Sequence, residues 1–194
     1  MVGFAVVQHL ARRGATVYIA ARSQDRAEDA IKRIRASGLA PGNGRIDHIE
    51  LDLADPRTAK RAAETFLQKE ERLDILSERS PYIGHLVWTM TLLPLLKRTA
   101  REPNSDVRIV DVSSAGHAIV PSNVRFKTRD DLNRDCKDTF FDKSNRYNLT
   151  KFMGMLHVTE LQRRLDAEGV PIIVMGVHPG IVNTGMPTSI PSAL

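Results

Sequence analysis

Apolar and polar positions follow two different periods along the chain. Segments in which apolar residues return every three or four positions alternate with short runs rich in β-branched and aliphatic residues. The first kind predicts the end of a helix at 6–13 and helices at 25–36, 56–71, 82–100 and 147–168. The second kind predicts strands at 15–21, 45–51, 73–76, 107–114 and 171–177. Strands that alternate with helices are typical of an α/β fold whose mostly parallel sheet is covered on both faces.

Turn and stop signals support these boundaries. Gly14 and Gly169 follow helical patterns as stop signals, and Pro56 lies at a first helical turn. Pro94 is expected to interrupt the helix at 82–100, because proline lacks the N–H that a helix interior uses. The segment 116–145 is polar and irregular. Since no linker or repeat divides the chain, residues 1–194 are predicted to form a single domain.

The charge pattern disfavours a nucleic-acid partner. With 28 Lys and Arg against 23 Asp and Glu, the formal charge is +5. The basic residues are spread over the chain and mixed with acids, as in the segment 26–35, which is typical of solvated helix faces. A nucleic-acid interface would cluster them among aromatic residues, and aromatic residues make up only 5% of the sequence.

Several other classes of protein are disfavoured by what the sequence lacks. The single cysteine, Cys136, excludes a disulfide framework, and the six histidines include no pair at metal-ligand spacing. The longest apolar stretch, 86–96, is shorter than the about 20 residues that cross a membrane. At the N-terminus the charges follow the apolar residues, the reverse of a secretory signal. The sequence therefore predicts a cytoplasmic protein without a metal site or a membrane span.

Tyr147 and Lys151 are the first candidates for chemistry. They are four residues apart in a predicted helix and therefore share one face. A free phenol is too weak an acid for proton transfer at neutral pH, but an ammonium about 4 Å away in a half-buried site favours the phenolate by about 4 kcal/mol. Such a pair can act as a general acid and base. The pair alone also fits an exposed tyrosine and lysine on a solvated helix face.

Two further polar segments follow predicted strands. Ser113 and Ser114 end the strand at 107–114, at the carboxyl edge where α/β folds bind ligands. Their hydroxyls are suited to hydrogen-bond a carbonyl or hydroxyl group of a substrate, or simply to cap a turn. After the strand at 171–177, Pro179 and Gly180 predict a sharp turn, and Thr184 offers another hydroxyl. That segment also fits an ordinary loop.

Taken together and in order, these motifs resemble the short-chain dehydrogenase/reductase family. The resemblance covers nearly the whole chain. It rests on Gly3, 14–17, 20–23, 52–53, 73–76, 112–114, Tyr147-x-x-x-Lys151 and 179–184. The long segment between Ser114 and Tyr147, with Asp130-Asp131-Leu132-Asn133 inside it, is similar to the retinol-dehydrogenase-like branch. The family implies a Rossmann-like, doubly wound parallel sheet and hydride transfer between NAD(P) and a carbonyl/alcohol pair.

The resemblance also implies roles for individual residues. Tyr147 would donate the proton to the carbonyl oxygen, Lys151 would acidify Tyr147 and hold the nicotinamide ribose, and Ser114 would orient the substrate oxygen. The remaining candidates would contact the cofactor. They are Gly3 at the pyrophosphate turn, Asp52 and Leu53 beside the adenine, and Val182 and Thr184 at the nicotinamide end.

The choice between NADP and NAD is predicted from charge. NAD is usually held by an acid at the end of the second strand of the fold, which accepts a hydrogen bond from the ribose 2′-OH. This chain has Arg22 there, preceded by Ala20 and Ala21. A guanidinium suits a 2′-phosphate through charge-assisted hydrogen bonds. NADP is therefore favoured over NAD, with a solvated Arg22 at a helix start as the alternative.

The chain departs from the family pattern in three places. The segment Met1-Val2-Gly3 matches only the end of the Gly-rich turn TGxxxGxG, so the first strand and its earlier glycines are expected to be missing. After Leu76 the Asn-Asn-Ala-Gly segment is absent, and Pro81 replaces an asparagine. The chain ends soon after Thr184, before the last strand and the substrate-covering helices of the family. The sheet is therefore expected to be incomplete.

Two functions remain open from the sequence. The first is an NADP-dependent oxidoreductase that acts on a small-molecule carbonyl or alcohol. The alternative is a catalytically impaired or silent fragment of the family, which has an interaction role or arises from a faulty gene model. The substrate stays unknown because the segment that would supply most specificity contacts is absent. The oligomeric state, a homo-oligomer included, is equally open.

Overall fold

A computed structural model describes residues 2–78, 82–121, 124–132 and 142–180. Its helices are α1 Val2–Arg12, α2 Gln24–Ala36, α3 Pro56–Lys69, α4 Tyr82–Ala100, α5 Arg129–Leu132 and α6 Asp142–Ala167. Its strands are β1 Val17–Ala21, β2 Ile46–Glu50, β3 Ile75–Glu78, β4 Val107–Val112 and β5 Ile172–Val177. A 3₁₀ turn spans Ala115–Ile119. The predicted α/β alternation is confirmed.

The strands form two parallel sheets, and the chain groups into two compact units. The first unit comprises the described residues up to Glu50 with Pro179 and Gly180, and it holds the sheet β1-β2. The second runs from Leu51 to His178 and holds the sheet β3-β4-β5. These sheets are incomplete compared with a full doubly wound sheet, as expected from the sequence. The prediction of a single domain stays a prediction.

The first unit is built around a small aliphatic core. Ala11 of α1, Ile31 and Ile34 of α2 and Ile46 of β2 are all buried there. Helix α2 begins where it does because the Ser23 hydroxyl caps it, accepting a hydrogen bond from the Arg26 N–H at 3.3 Å. The buried α2 positions recur at helical spacing, so one face of the helix is apolar and the other is charged.

The second unit is held together by α4. Leu92, Leu95 and Leu96 on this helix are at most 2% exposed, and the apolar faces of α3 and α6 also lie buried. Helix α3 begins at Pro56, after Asp55 accepts a hydrogen bond from the Arg57 N–H at 2.9 Å. Because α4 is apolar on nearly every side, it is buried in the core of this unit rather than lying at its surface.

Pro94 does not interrupt α4, contrary to the sequence prediction. The helix runs without a break from Tyr82 to Ala100. Pro94 lies on its exposed side, and so does Met90, whose carbonyl would have bonded to the missing N–H. Solvent can reach that carbonyl, so the lost hydrogen bond costs less there than in the core.

Strand β3 lies two residues further along the chain than the predicted strand at 73–76. Its ladder with β4 pairs Ser77 with Val110 and Glu78 with Asp111. Strand β4 ends at Val112, before the two serines, because the next residues turn into the 3₁₀ helix. The extension of β3 has a chemical consequence, since it places two carboxylates side by side on neighbouring strands.

Candidate active site

Helix α6 brings Tyr147 and Lys151 onto one face, as predicted from their spacing. The Lys151 ammonium lies 6.0 Å from the centre of the Tyr147 ring. The two side chains differ in exposure: Lys151 is 4% exposed, whereas Tyr147 is 48% exposed. The arrangement therefore offers a phenol to a ligand from outside while it keeps the cation beneath it.

The carbonyl at the end of β4 holds the lysine in place. Lys151 Nζ donates a hydrogen bond of 2.6 Å to the Val112 carbonyl oxygen. A buried ammonium needs such acceptors, because an unpaired charge away from water costs several kcal/mol. This contact ties the helix that carries the phenol to the strand that leads into the serines.

Ser113 and Ser114 follow β4 directly and use their side chains differently. The Ser114 hydroxyl oxygen accepts a hydrogen bond of 3.3 Å from the Gly116 N–H and so caps the 3₁₀ turn. Its own proton remains available for donation, because a hydroxyl can donate and accept at the same time. Ser113 is buried, and its hydroxyl has no hydrogen-bond partner among the described residues.

The 3₁₀ turn packs tightly against α6. Gly116 is buried, and a Cβ built on it would overlap the side-chain oxygen of Asn148, the neighbour of Tyr147. Glycine at this position therefore permits the close approach between the serine turn and the helix that carries the tyrosine.

We expect Gly116→Ala to destabilise the protein by about 1–3 kcal/mol, because the new methyl group displaces Asn148. Urea denaturation measures this loss. The double variant Gly116→Ala/Asn148→Ala should regain part of it, since the overlapping group is gone. If the stability losses of the two single substitutions simply add in the double variant, the contact between Gly116 and Asn148 does not determine how the turn packs against α6.

The cofactor candidates lie at strand and helix ends. Gly3 is in the first turn of α1 with open space around it, and Arg22 is exposed immediately after β1. Asp52 and Leu53 follow β2, where the Asp52 carboxylate accepts a hydrogen bond of 3.0 Å from the Ala54 N–H. Val182 and Thr184 lie outside the described residues.

Sequence reasoning missed a set of four titratable residues beneath Lys151, which we call the acid–histidine cluster: Glu78 of β3, His85 of α4, Asp111 of β4 and His157 of α6. The cluster lines one cavity together with Thr150, Lys151 and Gly154. The cavity has a volume of about 20 Å³, which is room for one water molecule. A signal was present in the sequence for Asp111, an acid between two valines in β4, whereas Glu78 lies beyond the strand predicted at 73–76.

One hydrogen bond and one close imidazole contact surround Glu78 in the first half of this cluster. The Glu78 carboxylate accepts a hydrogen bond from the hydroxyl of Thr89, which is fully buried. Its other oxygen lies 3.3 Å from His85 Nδ1. Glu78 is thus a buried carboxyl group with the Thr89 hydroxyl on one side and the His85 imidazole on the other.

Burial shifts both titrating groups in the other half towards their neutral forms. It raises the pKa of Asp111, with a further increase from Glu78 and an opposing decrease from Lys151. It also lowers the pKa of His157, against the attraction of Glu78 and Asp111. The two pKa values therefore move towards each other from their ordinary positions.

Neither a metal-binding cluster nor a membrane-spanning helix is found among the described residues. No group of three or more His, Cys, Asp or Glu side chains in the described ranges is arranged to hold a metal ion. None of the described helices combines the length and apolar character that a membrane crossing needs.

Parallel strands joined by helices, with polar groups at their carboxyl ends, define a Rossmann-like protein. Solved structures with this fold are similar over most of the chain. The NADP active-site complex of RhlG from Pseudomonas aeruginosa has a TM-score of 0.71 at 20% identity, over 94% of this chain and 69% of that one. L-Sorbose reductase from Gluconobacter frateurii, with NADPH and L-sorbose, has a TM-score of 0.68 at 16% identity, over 93% and 65%.

Sequence comparisons give the family. The model described as short chain dehydrogenase matches residues 2–80. A short-chain dehydrogenase/reductase of Pyricularia grisea is 33% identical, over 93% of this chain and 85% of that protein. Another, of Armillaria gallica, is 40% identical, over 93% of this chain and 62% of that protein. The chain belongs to the short-chain dehydrogenase/reductase family of oxidoreductases.

The chain is shorter than several of these relatives. It spans between 52% and 62% of the length of the proteins from Armillaria gallica, Colletotrichum higginsianum and Gibberella zeae.

Family membership and the Rossmann-like fold expected from the sequence are thus confirmed. The roles of individual residues stay predictions.

Proposed function

We propose that this chain carries the catalytic residues of an NADP-dependent oxidoreductase, which transfers hydride between NADP(H) and a small carbonyl or alcohol. One observation carries the proposal: the half-exposed Tyr147 phenol lies on the same helix face as the buried, anchored Lys151 ammonium. A phenol offered to the outside above a fixed cation is suited to give a proton to a developing alkoxide. A cytoplasmic location belongs to the same proposal.

Each of the three catalytic candidates has a separate task. In the direction of reduction, the Tyr147 O–H bond breaks as a proton moves to the carbonyl oxygen of the substrate. Lys151 stabilises the phenolate that remains, because its positive charge is held close by the Val112 carbonyl. Ser114 donates a hydrogen bond to the same substrate oxygen and so orients it. In oxidation the proton returns to Tyr147.

The residues of the chain fit an NADP cofactor. NADPH, when bound, supplies the hydride that reduces the carbonyl carbon. Arg22 is exposed after a strand end whose preceding residues are alanines, so a 2′-phosphate would meet a guanidinium at the position that follows β1. Gly3 leaves open space at the start of α1, which permits close approach of a phosphate to the backbone. The other proposed contacts are Asp52, Leu53, Tyr147, Lys151, Val182 and Thr184.

The test is an assay of the purified chain with NADPH and a panel of aldehydes and ketones, together with calorimetric titration of NADPH and NADH. We expect NADPH to bind more tightly than NADH and to be oxidised with at least one member of the panel. Tight binding without turnover would favour an impaired enzyme. If neither cofactor binds, the alternative of a silent family fragment is correct.

Cofactor choice has its own prediction. We expect Arg22→Asp to weaken NADPH binding about tenfold to a hundredfold, because a charged hydrogen bond contributes about 1.5–3 kcal/mol. NADH binding should be unchanged or tighter, since the new carboxylate can accept from the ribose 2′-OH. Arg26→Ala, one turn further along α2, is the matched control and should change neither. Equal losses for both cofactors would contradict the role of Arg22.

A further inference from the structure

The acid–histidine cluster places four titratable side chains around one small cavity. Two carboxylates lie opposite each other in the ladder of β3 and β4, Glu78 beside Asp111. Like charges on neighbouring strands destabilise a sheet unless something neutralises them. The neutralising groups come from two helices: His85 of α4, and Lys151 and His157 of α6. The sheet therefore depends on protons or cations held in this cavity.

Glycine in α6 brings Asp111 close to the helix. A Cβ built on Gly154 would lie 2.6 Å from Asp111 Oδ2. Any larger residue would push the carboxylate away from Lys151, which lies three residues earlier on the same helix. The small residue thus lets a carboxylate of the sheet approach the turn of α6 that holds the lysine.

We propose that the acid–histidine cluster holds an exchangeable proton behind Lys151, in which Asp111 positions the ammonium and His157 shares the proton with Asp111 across the cavity. The step is a simple proton transfer. The O–H bond of the Asp111 carboxyl breaks, its electron pair stays on the carboxylate, and an N–H bond forms on the His157 imidazole. The cavity has room for one water molecule to carry the proton.

The charges around Asp111 and His157 keep the free-energy cost of this proton transfer low. Burial raises the pKa of Asp111 and lowers the pKa of His157, so that the acid and the base approach each other in strength. Three elements contribute charged or titratable groups around the pair: Glu78 from β3, His85 from α4, and Lys151 and Arg164 from α6. When the proton moves to His157, the new Asp111 carboxylate faces Lys151 and strengthens the hold on its ammonium.

Only the effect of the cluster on turnover rests on the proposed function, so the first test of this inference does not require an active enzyme. Side-chain resonances of His157 and Lys151 are titrated by NMR in the purified chain. Asp111→Asn should lower the pH at which His157 is half-protonated, because the carboxylate attracts a proton to that imidazole. It should also move the Lys151 transition to lower pH, because the ammonium loses the electrostatic attraction of a nearby carboxylate.

Thr99→Val is the matched control for loss of a buried polar contact. Thr99 is fully buried in the same unit, and its hydroxyl accepts a hydrogen bond of 3.1 Å from the Leu73 N–H, away from the cluster. The control should leave both transitions in place.

Gly154→Ala should move both transitions in the direction of Asp111→Asn, because it displaces the carboxylate without removing a charge. Unchanged transitions in Asp111→Asn would overturn the proposal.

The second test separates this inference from the proposed function. In an active preparation, Asp111→Asn should shift the pH profile of kcat and leave KM within about twofold, since Asp111 acts through Lys151 and not on the substrate. If the chain is active and the profile is unchanged, the cluster does not serve turnover and the inference fails. If the chain is inactive while the NMR transitions move as expected, the proposed function fails and the coupled proton site stands.

Discussion

Replacing Tyr147 with phenylalanine is expected to lower turnover by about 10²–10⁴-fold, the contribution of a well-placed general acid. The phenol is the group that gives its proton to the substrate oxygen in the proposed reaction, and phenylalanine keeps the ring but removes that proton. The measurement is kcat and KM for the best substrate of the panel. KM and NADPH affinity should change little, because the ring remains in place.

The fold should tolerate this substitution well. Tyr147 is 48% exposed, so removal of its hydroxyl leaves no buried polar group without a partner. The unfolding free energy should stay within about 0.5 kcal/mol of the parent value. Tyr18→Phe is the matched control: it also removes a phenol hydroxyl, one that accepts a hydrogen bond of 3.0 Å from Arg45 in the first unit. A Tyr147→Phe protein with the parental turnover would refute the assigned role.

Gly84→Ala should cause the largest loss of stability among the glycine variants of the second unit. A Cβ on Gly84 would overlap the Leu53 carbonyl oxygen and lie 2.9 Å from two further backbone atoms of Leu53. A backbone segment yields less readily than a flexible side chain. The loss should therefore reach or exceed the upper end of the about 1–3 kcal/mol that overpacking usually costs.

Gly3→Ala is the control for this second prediction. Both glycines are in helices, so both variants gain about 0.5–1 kcal/mol of helix propensity, but Gly3 has open space where the methyl group would lie. Urea denaturation of the two variants isolates the cost of the overlap. In Gly84→Ala the displaced Leu53 is also a proposed adenine contact, so NADPH affinity should fall with stability. Two variants of equal stability would show that the loop after β2 can move freely away from α4.

Most of the fold could be predicted because it depends on local patterns. The predicted bounds of α4 agree with the structure at both ends, and those of α2 and β5 agree to within one residue. Tyr147 and Lys151 could be paired because a helix places positions four apart on one face. Capping groups such as Ser23 and Asp55 likewise act on residues two or three positions away.

The features that escaped prediction depend on residues distant in the sequence. Pro94 suggested a break in α4, and only the packing of this helix shows that Pro94 lies on its solvent-exposed side. The acid–histidine cluster draws its members from four elements, and the register of β3 on β4 is what brings Glu78 beside Asp111. No periodicity within either strand fixes that register. The same holds for Gly154, whose importance follows from a carboxylate on another element.

Strand β4 is the described strand that is hydrogen bonded on both edges, by β3 and by β5. An amide proton in its middle is hydrogen bonded to one of these two neighbours, so its exchange requires an internal ladder to open, which we expect to accompany unfolding of much of the unit. The slowest exchange should therefore occur at residues such as Ile109 and Val110, and exchange in β1 and β2 should be faster. Asp111, Val112 and the serines that follow are attached to this slowest strand, so the proposed chemistry is anchored to the part of the unit that opens last.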